Sequence, residues 1–269
     1  GRDEQFVPDA LAVTKDVVDA VTRLRDQDAA AGAEKLLDVL DFQLDNPNLE
    51  EDAVRRTLDE LYLIDDDAVR AASLVDAADI IAARDDPRTL NPVVQQAIAI
   101  VPIVESSLVA MSLNTRLARL SIALDRPGDV DSLVDQARRR SGTGLVVDPA
   151  QFSRLEDAIL SLLAIDRANV LTGERNAIDT AFDLLTNVSP QSMRARAYGR
   201  LAVALNDGAA PESRGDLYAD AHRRMALIAD NTMRATVTAG FIRRRAEADP
   251  GWDAETAAAT LLAEVSLVG

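Results

Sequence analysis

The arginines are the side chains whose type and spacing come closest to a binding site. A guanidinium group is planar and binds a carboxylate or a phosphate through two parallel hydrogen bonds. Aligned along one face of stacked helices, these side chains would contact an acidic peptide or an anionic ligand: Arg138, Arg139, Arg140, Arg196, Arg200, Arg243, Arg244 and Arg245. In a chain this acidic, the alternative is that they pair with aspartates on neighbouring helices.

Histidine and aspartate give less specific signals. His222 is the single histidine, and cysteine is absent, so we interpret His222 as a partly exposed structural residue rather than a catalytic base or a metal ligand. The carboxylates at Asp65–Asp67 and Asp85–Asp86 are of the type that binds Ca²⁺. Because they stand where helices begin or end, we expect them to cap helices and to offset the helix dipole.

Known catalytic and nucleotide-binding motifs are missing from the sequence. The one Gly-rich stretch, Ser141–Gly144, follows a predicted helix C-terminus, which is the wrong pole for binding a phosphate. No dinucleotide, P-loop, nucleophile-elbow or zinc-protease motif occurs. The sequence therefore predicts no catalytic residue, no metal site and no cofactor.

Charge and hydropathy argue against two classes of partner. The formal charge of −16 opposes binding to nucleic acid, because that binding depends on Lys and Arg displacing counterions. The best apolar stretch, 97–104, contains Pro102 and is too short to cross a bilayer. We therefore expect a soluble protein, in the cytoplasm or, if an export signal has been removed, in the periplasm or cell envelope. Counts of 27 Arg against 2 Lys fit a GC-rich bacterial genome.

Helix-breaking residues recur with a nearly constant period of about 40 residues, within the range of known helical repeats. Pro lacks a backbone donor, and Gly tolerates the left-handed conformation that ends a helix. Apolar blocks recur with the same spacing, since 119–125 aligns with 200–206 after two periods. The breakers are Asn46–Pro47, Asp86–Pro87, Arg126–Gly128, Asp166–Arg167, Asp207–Gly208 and Asp249–Gly251.

Between the breakers, apolar residues follow the helical period. Helix starts are expected at Asn48, Asn91–Pro92, Asp148–Pro149 and Ser189–Pro190. Pro102 should kink or split its helix, and the short β-like run at 144–147 should be a connection. Helices are predicted at 9–28, 31–45, 49–63, 67–85, 92–111, 113–125, 129–140, 149–165, 173–187, 190–206, 211–229, 231–248 and 252–267.

The two helices within one period cannot bury their own apolar faces, so neighbouring pairs must stack. The sequence predicts an all-α protein, a right-handed solenoid of about six helix pairs in one domain spanning 1–269, with a looser connection at 141–150. The period resembles that of HEAT and armadillo repeats, and the Ala-rich packing resembles tetratricopeptide repeats, although the Trp-Leu-Gly-Tyr pattern of the latter is missing. The resemblance implies a surface that binds proteins or peptides.

Three functions remain open at this point. The first is a non-catalytic scaffold that binds a protein or peptide. The second is a binder of a small apolar or anionic ligand in a crevice between helix pairs. The third is an enzyme that works through Arg and Asp on a helical frame, although no group of residues points to it.

Overall fold

Helices α1 to α7 follow one another between residues 17 and 141. They span 17–25 (α1), Ala29–Leu44 (α2), Glu51–Tyr62 (α3), Asp67–Ala82 (α4), Pro87–Ile100 (α5), Ser107–Ala123 (α6) and Pro127–Ser141 (α7), with a 3-10 helix at Val101–Ile103. Farther along are a 3-10 helix at Pro149–Gln151 and α-helices at Phe152–Ala168 (α8), Ala177–Thr186 (α9), Asn231–Ala248 (α10) and Ala254–Ser266 (α11). Two strands of two residues each, Leu145–Val146 (β1) and Val188–Ser189 (β2), pair in parallel.

The computed structural model describes residues 17–25, 28–46, 51–142, 144–171, 177–190, 193–194, 196–198, 200–201, 204, 225–226, 231–248 and 251–266. Within these ranges the regular structure is helical apart from β1 and β2, which confirms the predicted all-α class. The chain divides into two compact units, 1–137 and 138–269. A single domain over the whole chain stays a prediction.

Helices α4 and α6 of the first unit run parallel to each other. Arg116 Nη2 lies 2.6 Å from Asp76 Oδ1, and Arg119 Nη2 lies 2.6 Å from Asp79 Oδ1. Each pair joins residues 40 positions apart in the sequence. Because two successive turns are paired with the same offset, the two helices point in the same direction, and residues 40 positions apart lie at the same level there.

Helix α2 packs on α4, and their C-terminal ends lie together. Just after α4, Arg84 Nη2 donates to Asp41 Oδ1 at 2.6 Å and to Asp45 Oδ1 at 2.8 Å near the end of α2. The intervening helices α3 and α5 each pack on both helices that they connect. In the described part of the first unit, each helix from α2 to α5 thus packs on the helix that follows it.

Two helices of the first unit end in the same way. Asp85 follows α4 with φ +55° and Asp125 follows α6 with φ +53°, and an Asp in this left-handed conformation ends a helix much as Asn or Gly does. The next helices then begin at Pro87 and Pro127, where the missing backbone N–H costs no hydrogen bond. Each feature of the first helix end thus recurs 40 residues later.

The starts of α4 and α6 also correspond. Asp66 Oδ1 accepts a hydrogen bond from Val69 N at 2.8 Å, and Ser106 Oγ accepts one from Val109 N at 3.4 Å. These side chains satisfy backbone donors that have no partner inside the helix. The two capping residues are again 40 residues apart.

The predicted boundary between helices 92–111 and 113–125 was wrong. The first helix starts at Pro87, because Asp86 Oδ1 accepts hydrogen bonds from Arg88 N and Thr89 N, and Pro92 lies inside it. The predicted split at Pro102 is confirmed, since α5 passes into a 3-10 turn there and α6 starts at Ser107. The break between the two helices thus lies at Pro102, several residues before the boundary at 111–113 that apolar periodicity predicted.

Three further expectations need correction. Helix α8 continues through Asp166–Arg167 to Ala168 and ends at Asn169, whose φ is +50°. The run at 144–147 contains β1 rather than a simple connection, because Leu145 N and Val147 N donate to carbonyls beside and within β2 at 2.9 and 2.8 Å. Ser189 belongs to β2 instead of starting a helix, and its hydroxyl donates to the Leu145 carbonyl at 3.4 Å.

Several expectations fall outside the described residues. These are the beginning of the first predicted helix, the break at Asp207–Gly208, nearly all of the predicted helix 211–229, and Pro47 and Pro250 of two other breaks. None of the described helices combines the length and the apolar character that crossing a bilayer requires. The predicted bounds of α10, 231–248, agree with the observed helix.

The left-handed residues give a direct test of the helix ends. Replacing Asp85 or Asp125 with Gly should raise the free energy of unfolding by up to about 1 kcal/mol, because Gly adopts positive φ without steric cost. The matched variants Asp85→Ala and Asp125→Ala should lower it. Urea unfolding followed by circular dichroism measures both; stabilisation by Ala at either site would contradict the observed conformation.

Candidate interaction surfaces

Two of the predicted arginines contact helix α8 in the second unit. The Arg196 guanidinium carbon lies 3.9 Å from the centre of the Phe152 ring, and Phe152 is buried. Arg200 Nε lies 3.0 Å from Glu156 Oε1. Arg196 thus stacks on an aromatic face as a cation–π contact, while Arg200 forms the kind of ion pair expected under the alternative interpretation.

The arginines at 243–245 lie on α10. The Arg245 guanidinium carbon is 4.1 Å from the centre of the Trp252 ring, in the turn that leads to α11. Arg243 is exposed, and its Nε is 3.9 Å from Glu247 Oε1 one turn along the same helix. The side chain of Arg244 is outside the described residues. Arg245 therefore connects α10 with the turn that follows it.

The run Arg138–Arg140 forms the last turn of α7. Basic side chains in this position interact favourably with the negative end of the helix dipole. The helix end is closed by Ser141, whose Oγ donates to the Arg138 carbonyl at 2.7 Å. Arg139 is the most exposed of the three. The predicted arginines thus occupy three separate helical segments, each with contacts of its own.

The strongest charge cluster of the described residues was not among the predicted sites. Arg116 Nη2 lies 2.5 Å from Asp79 Oδ2 as well as 2.6 Å from Asp76 Oδ1. Burial alone would lower the pKa of the Arg116 guanidinium, but the two carboxylates outweigh burial and raise that pKa above its usual value. The available sequence signal was the equal spacing of 40 residues between Asp76 and Arg116 and between Asp79 and Arg119.

The aspartate clusters cap helices, as the sequence predicted. Asp66 caps α4, and Asp67 at its first position contacts Arg70. Asp86 caps α5, where hydrogen bonds from Thr89, first through its side chain and then through its backbone, lower the pKa of the Asp86 carboxyl. Among the described residues, no group of three or more acidic or histidine side chains is placed to hold a metal ion. His222 is outside those residues.

Two large apolar side chains are exposed at corresponding places. Leu63 is 62% exposed and Ile103 is 56% exposed. Leu63 stands four residues before the start of α4 and Ile103 four residues before the start of α6, so the two are 40 residues apart. Asp65 and Glu105 follow two residues later and are exposed as well. The sequence analysis did not single out Leu63 or Ile103, so it did not identify this surface.

The negative charge is concentrated in the first unit. Residues 1–137 contain 28 Asp and Glu against 13 Lys and Arg, a net charge of −15. Residues 138–269 contain 17 acidic and 16 basic residues, a net charge of −1. Partners of opposite sign are therefore attracted mainly to the first unit.

Comparison with known proteins assigns no family to the chain. No protein-family model, curated protein or solved structure matches it. The resemblance to HEAT, armadillo and tetratricopeptide repeats stays a prediction from sequence. Function must therefore be inferred from the contacts and charges of the chain's own residues.

The Arg116 cluster should contribute measurably to stability. Arg116→Ala leaves Asp76 and Asp79 in place without their main partner, and we expect it to lower the free energy of unfolding by about 1–3 kcal/mol. Arg84→Ala is the matched control, with a smaller expected loss because its partners Asp41 and Asp45 are 54% and 66% exposed. Urea titration compares the two; equal losses would argue against a special role for Arg116.

Proposed function

We propose that the chain is a non-catalytic helical-repeat scaffold, of bacterial origin, that binds a protein or peptide. The observation that carries the proposal is the equivalence of positions one period apart in the first unit. The order of buried, half-buried and exposed residues is the same in 81–90 as in 121–130. The left-handed Asp85 and Asp125, and the Pro residues that begin α5 and α7, fall within these segments.

Contacts between consecutive helix pairs support the same architecture. In the first unit, Arg116 Nη2 contacts Asp76 Oδ1, 40 positions earlier in the sequence. In the second unit, Arg167 Nη2 donates to the carbonyl of Ala204, 37 positions later, at 3.1 Å. Stacking of equivalent pairs produces such recurrent contacts, because each unit touches only its neighbours. We extend this arrangement to a right-handed solenoid over the whole chain.

Two properties of such an array support the binding role. Stacked helix pairs present long solvent-facing surfaces, while their own stability comes from nearest-neighbour contacts. In the first unit, apolar side chains such as Leu63 and Ile103 remain outside the core, and side chains of this kind gain free energy when a partner covers them. A scaffold that recognises another chain makes use of both properties.

A second candidate function is favoured by one observation on α6. Asn114 Oδ1 and Ser121 Oγ are buried without a hydrogen-bond partner in the described part of the chain. They are seven residues apart, so they share one face of the helix. Buried polar atoms normally have partners, and a small ligand held between helix pairs would supply them. A small-ligand binder is therefore the alternative to the protein scaffold.

Selection from a random peptide library separates the two functions. With the full chain immobilised, the scaffold predicts enrichment of related peptides that bind saturably, with Kd values in about the micromolar range that fluorescence anisotropy resolves. In parallel, a thermal-shift screen with small apolar and anionic compounds tests the alternative. No enriched peptide, together with a saturable thermal shift by one compound class, would replace the scaffold with the ligand binder.

Removing one period tests the repeat itself. Deleting 67–106 removes one full period and joins Asp66 to Ser107, so the capping position before the next helix is kept. We expect this variant to unfold cooperatively, with lower stability, because a shorter array keeps the same kind of interface. Deleting 67–96 is the out-of-period control and should abolish cooperative unfolding. Similar melting of both variants by circular dichroism would contradict the repeat.

A further inference from the structure

The turns before α4 and α6 hold an apolar and an acidic side chain outward at equivalent positions. In each turn the residue after the exposed apolar one is anchored: Ile64 and Val104 are both 1% exposed. Arg70 Nη1 donates to the Ile64 carbonyl at 2.7 Å, and Val104 N donates to the Val101 carbonyl at 3.1 Å. Leu63 and Ile103, which directly precede these buried residues, are 62% and 56% exposed. Each turn therefore buries one apolar side chain and leaves the preceding one in solvent.

The alignment of α4 with α6 places these two turns side by side. The helices are parallel and offset by one period, as the pairs Arg116–Asp76 and Arg119–Asp79 require. The 3-10 helix at Val101–Ile103 also packs on α4. Since packed helices have axes about 8–10 Å apart, we expect Leu63 and Ile103 to lie on one edge at about that separation. We call Leu63, Asp65, Ile103 and Glu105 the apolar–acidic edge.

Charge complementarity identifies what would cover this edge. The first unit carries a net charge of −15, and Asp65 and Glu105 are exposed beside the apolar pair. An acidic partner would be repelled, whereas Lys and Arg on a partner would gain both long-range attraction and local pairing. Apolar side chains on the same partner would cover Leu63 and Ile103, which contributes free energy in proportion to the area buried.

We propose that the apolar–acidic edge docks a basic, amphipathic segment of a partner protein. This inference rests on the proposed scaffold function and names the class of its partner. The segment carries two apolar side chains about 10 Å apart, to match the spacing of packed helices, and they are flanked by Lys or Arg. That separation corresponds to about seven residues of α-helix or three of polyproline II helix, each of which returns the second side chain to the same face, so the apolar residues should recur at one of these spacings.

Peptides selected on the full chain provide the test. We expect them to be enriched in Lys and Arg, with apolar residues at one of the two spacings. The double variant Leu63→Ser, Ile103→Ser should weaken their Kd at least about tenfold. Val146→Ser is the matched control, because Val146 is 77% exposed in the second unit, and it should leave Kd within about twofold. Fluorescence anisotropy of labelled peptides measures each Kd.

A charge variant tests the acidic component independently. Asp65→Asn with Glu105→Gln should weaken binding at low salt and make Kd less dependent on ionic strength, since salt screens exposed charges. Because these positions are exposed, circular dichroism should show unchanged folding. Should the apolar variant fail to fold, the charge variant alone decides the proposal.

The outcomes distinguish the two levels of inference. Enriched peptides that are neutral or acidic, or that bind the edge variants as tightly as the original chain, would overturn the apolar–acidic edge but leave the scaffold function standing. If no peptides are enriched on the full chain, the scaffold function itself fails. Basic peptides that lose affinity in both edge variants and keep it in Val146→Ser would establish the proposal.

Discussion

The arrangement of the first unit depends on ionic contacts that align one helix pair with the next. The Arg116 side chain is only 16% exposed and bridges Asp76 and Asp79, so displacing α6 along α4 would leave that guanidinium without its partners. Apolar packing alone is tolerant of such a shift, because many arrangements of Ala, Leu and Val side chains fill the same space. We therefore infer that the ion pairs select the register that apolar burial leaves open, a role attested for buried polar groups in coiled coils.

The register of α4 and α6 determines which residues can form a binding surface together. Once α4 and α6 are aligned, features that depend on local sequence are brought next to one another: helix caps, left-handed residues and exposed apolar side chains. A surface can then form from short segments that are far apart in the sequence, without a loop built for the purpose. Because the first unit is far more acidic than the second, basic partners are attracted to the first unit.

Much of the helical framework could be predicted from sequence, whereas the pairing of elements could not. Three features were predicted correctly because a single local signal marked each of them. They are the helix break at Pro102, the cap at Asp66 and the helix at 231–248. At 86–92, two capping candidates stood close together, and the hydrogen bonds of Asp86 decided between them. The partner of β1 lies beyond the whole of α8 and α9, and contacts over such distances leave no local pattern. Leu63 is exposed and the next residue, Ile64, is buried. Apolar periodicity does not show which of two adjacent apolar residues enters the core.

The short pairing of β1 with β2 changes what the segment between α7 and α8 can do. Leu145 N and Val147 N are hydrogen-bonded to the chain around β2, and the Leu145 side chain is buried. A backbone held in this way must break those bonds before it fits the extended cleft of a protease or exchanges its amide protons. Residues 145–147 of the connection that was predicted to be looser are thus held by backbone pairing, and limited digestion should spare them.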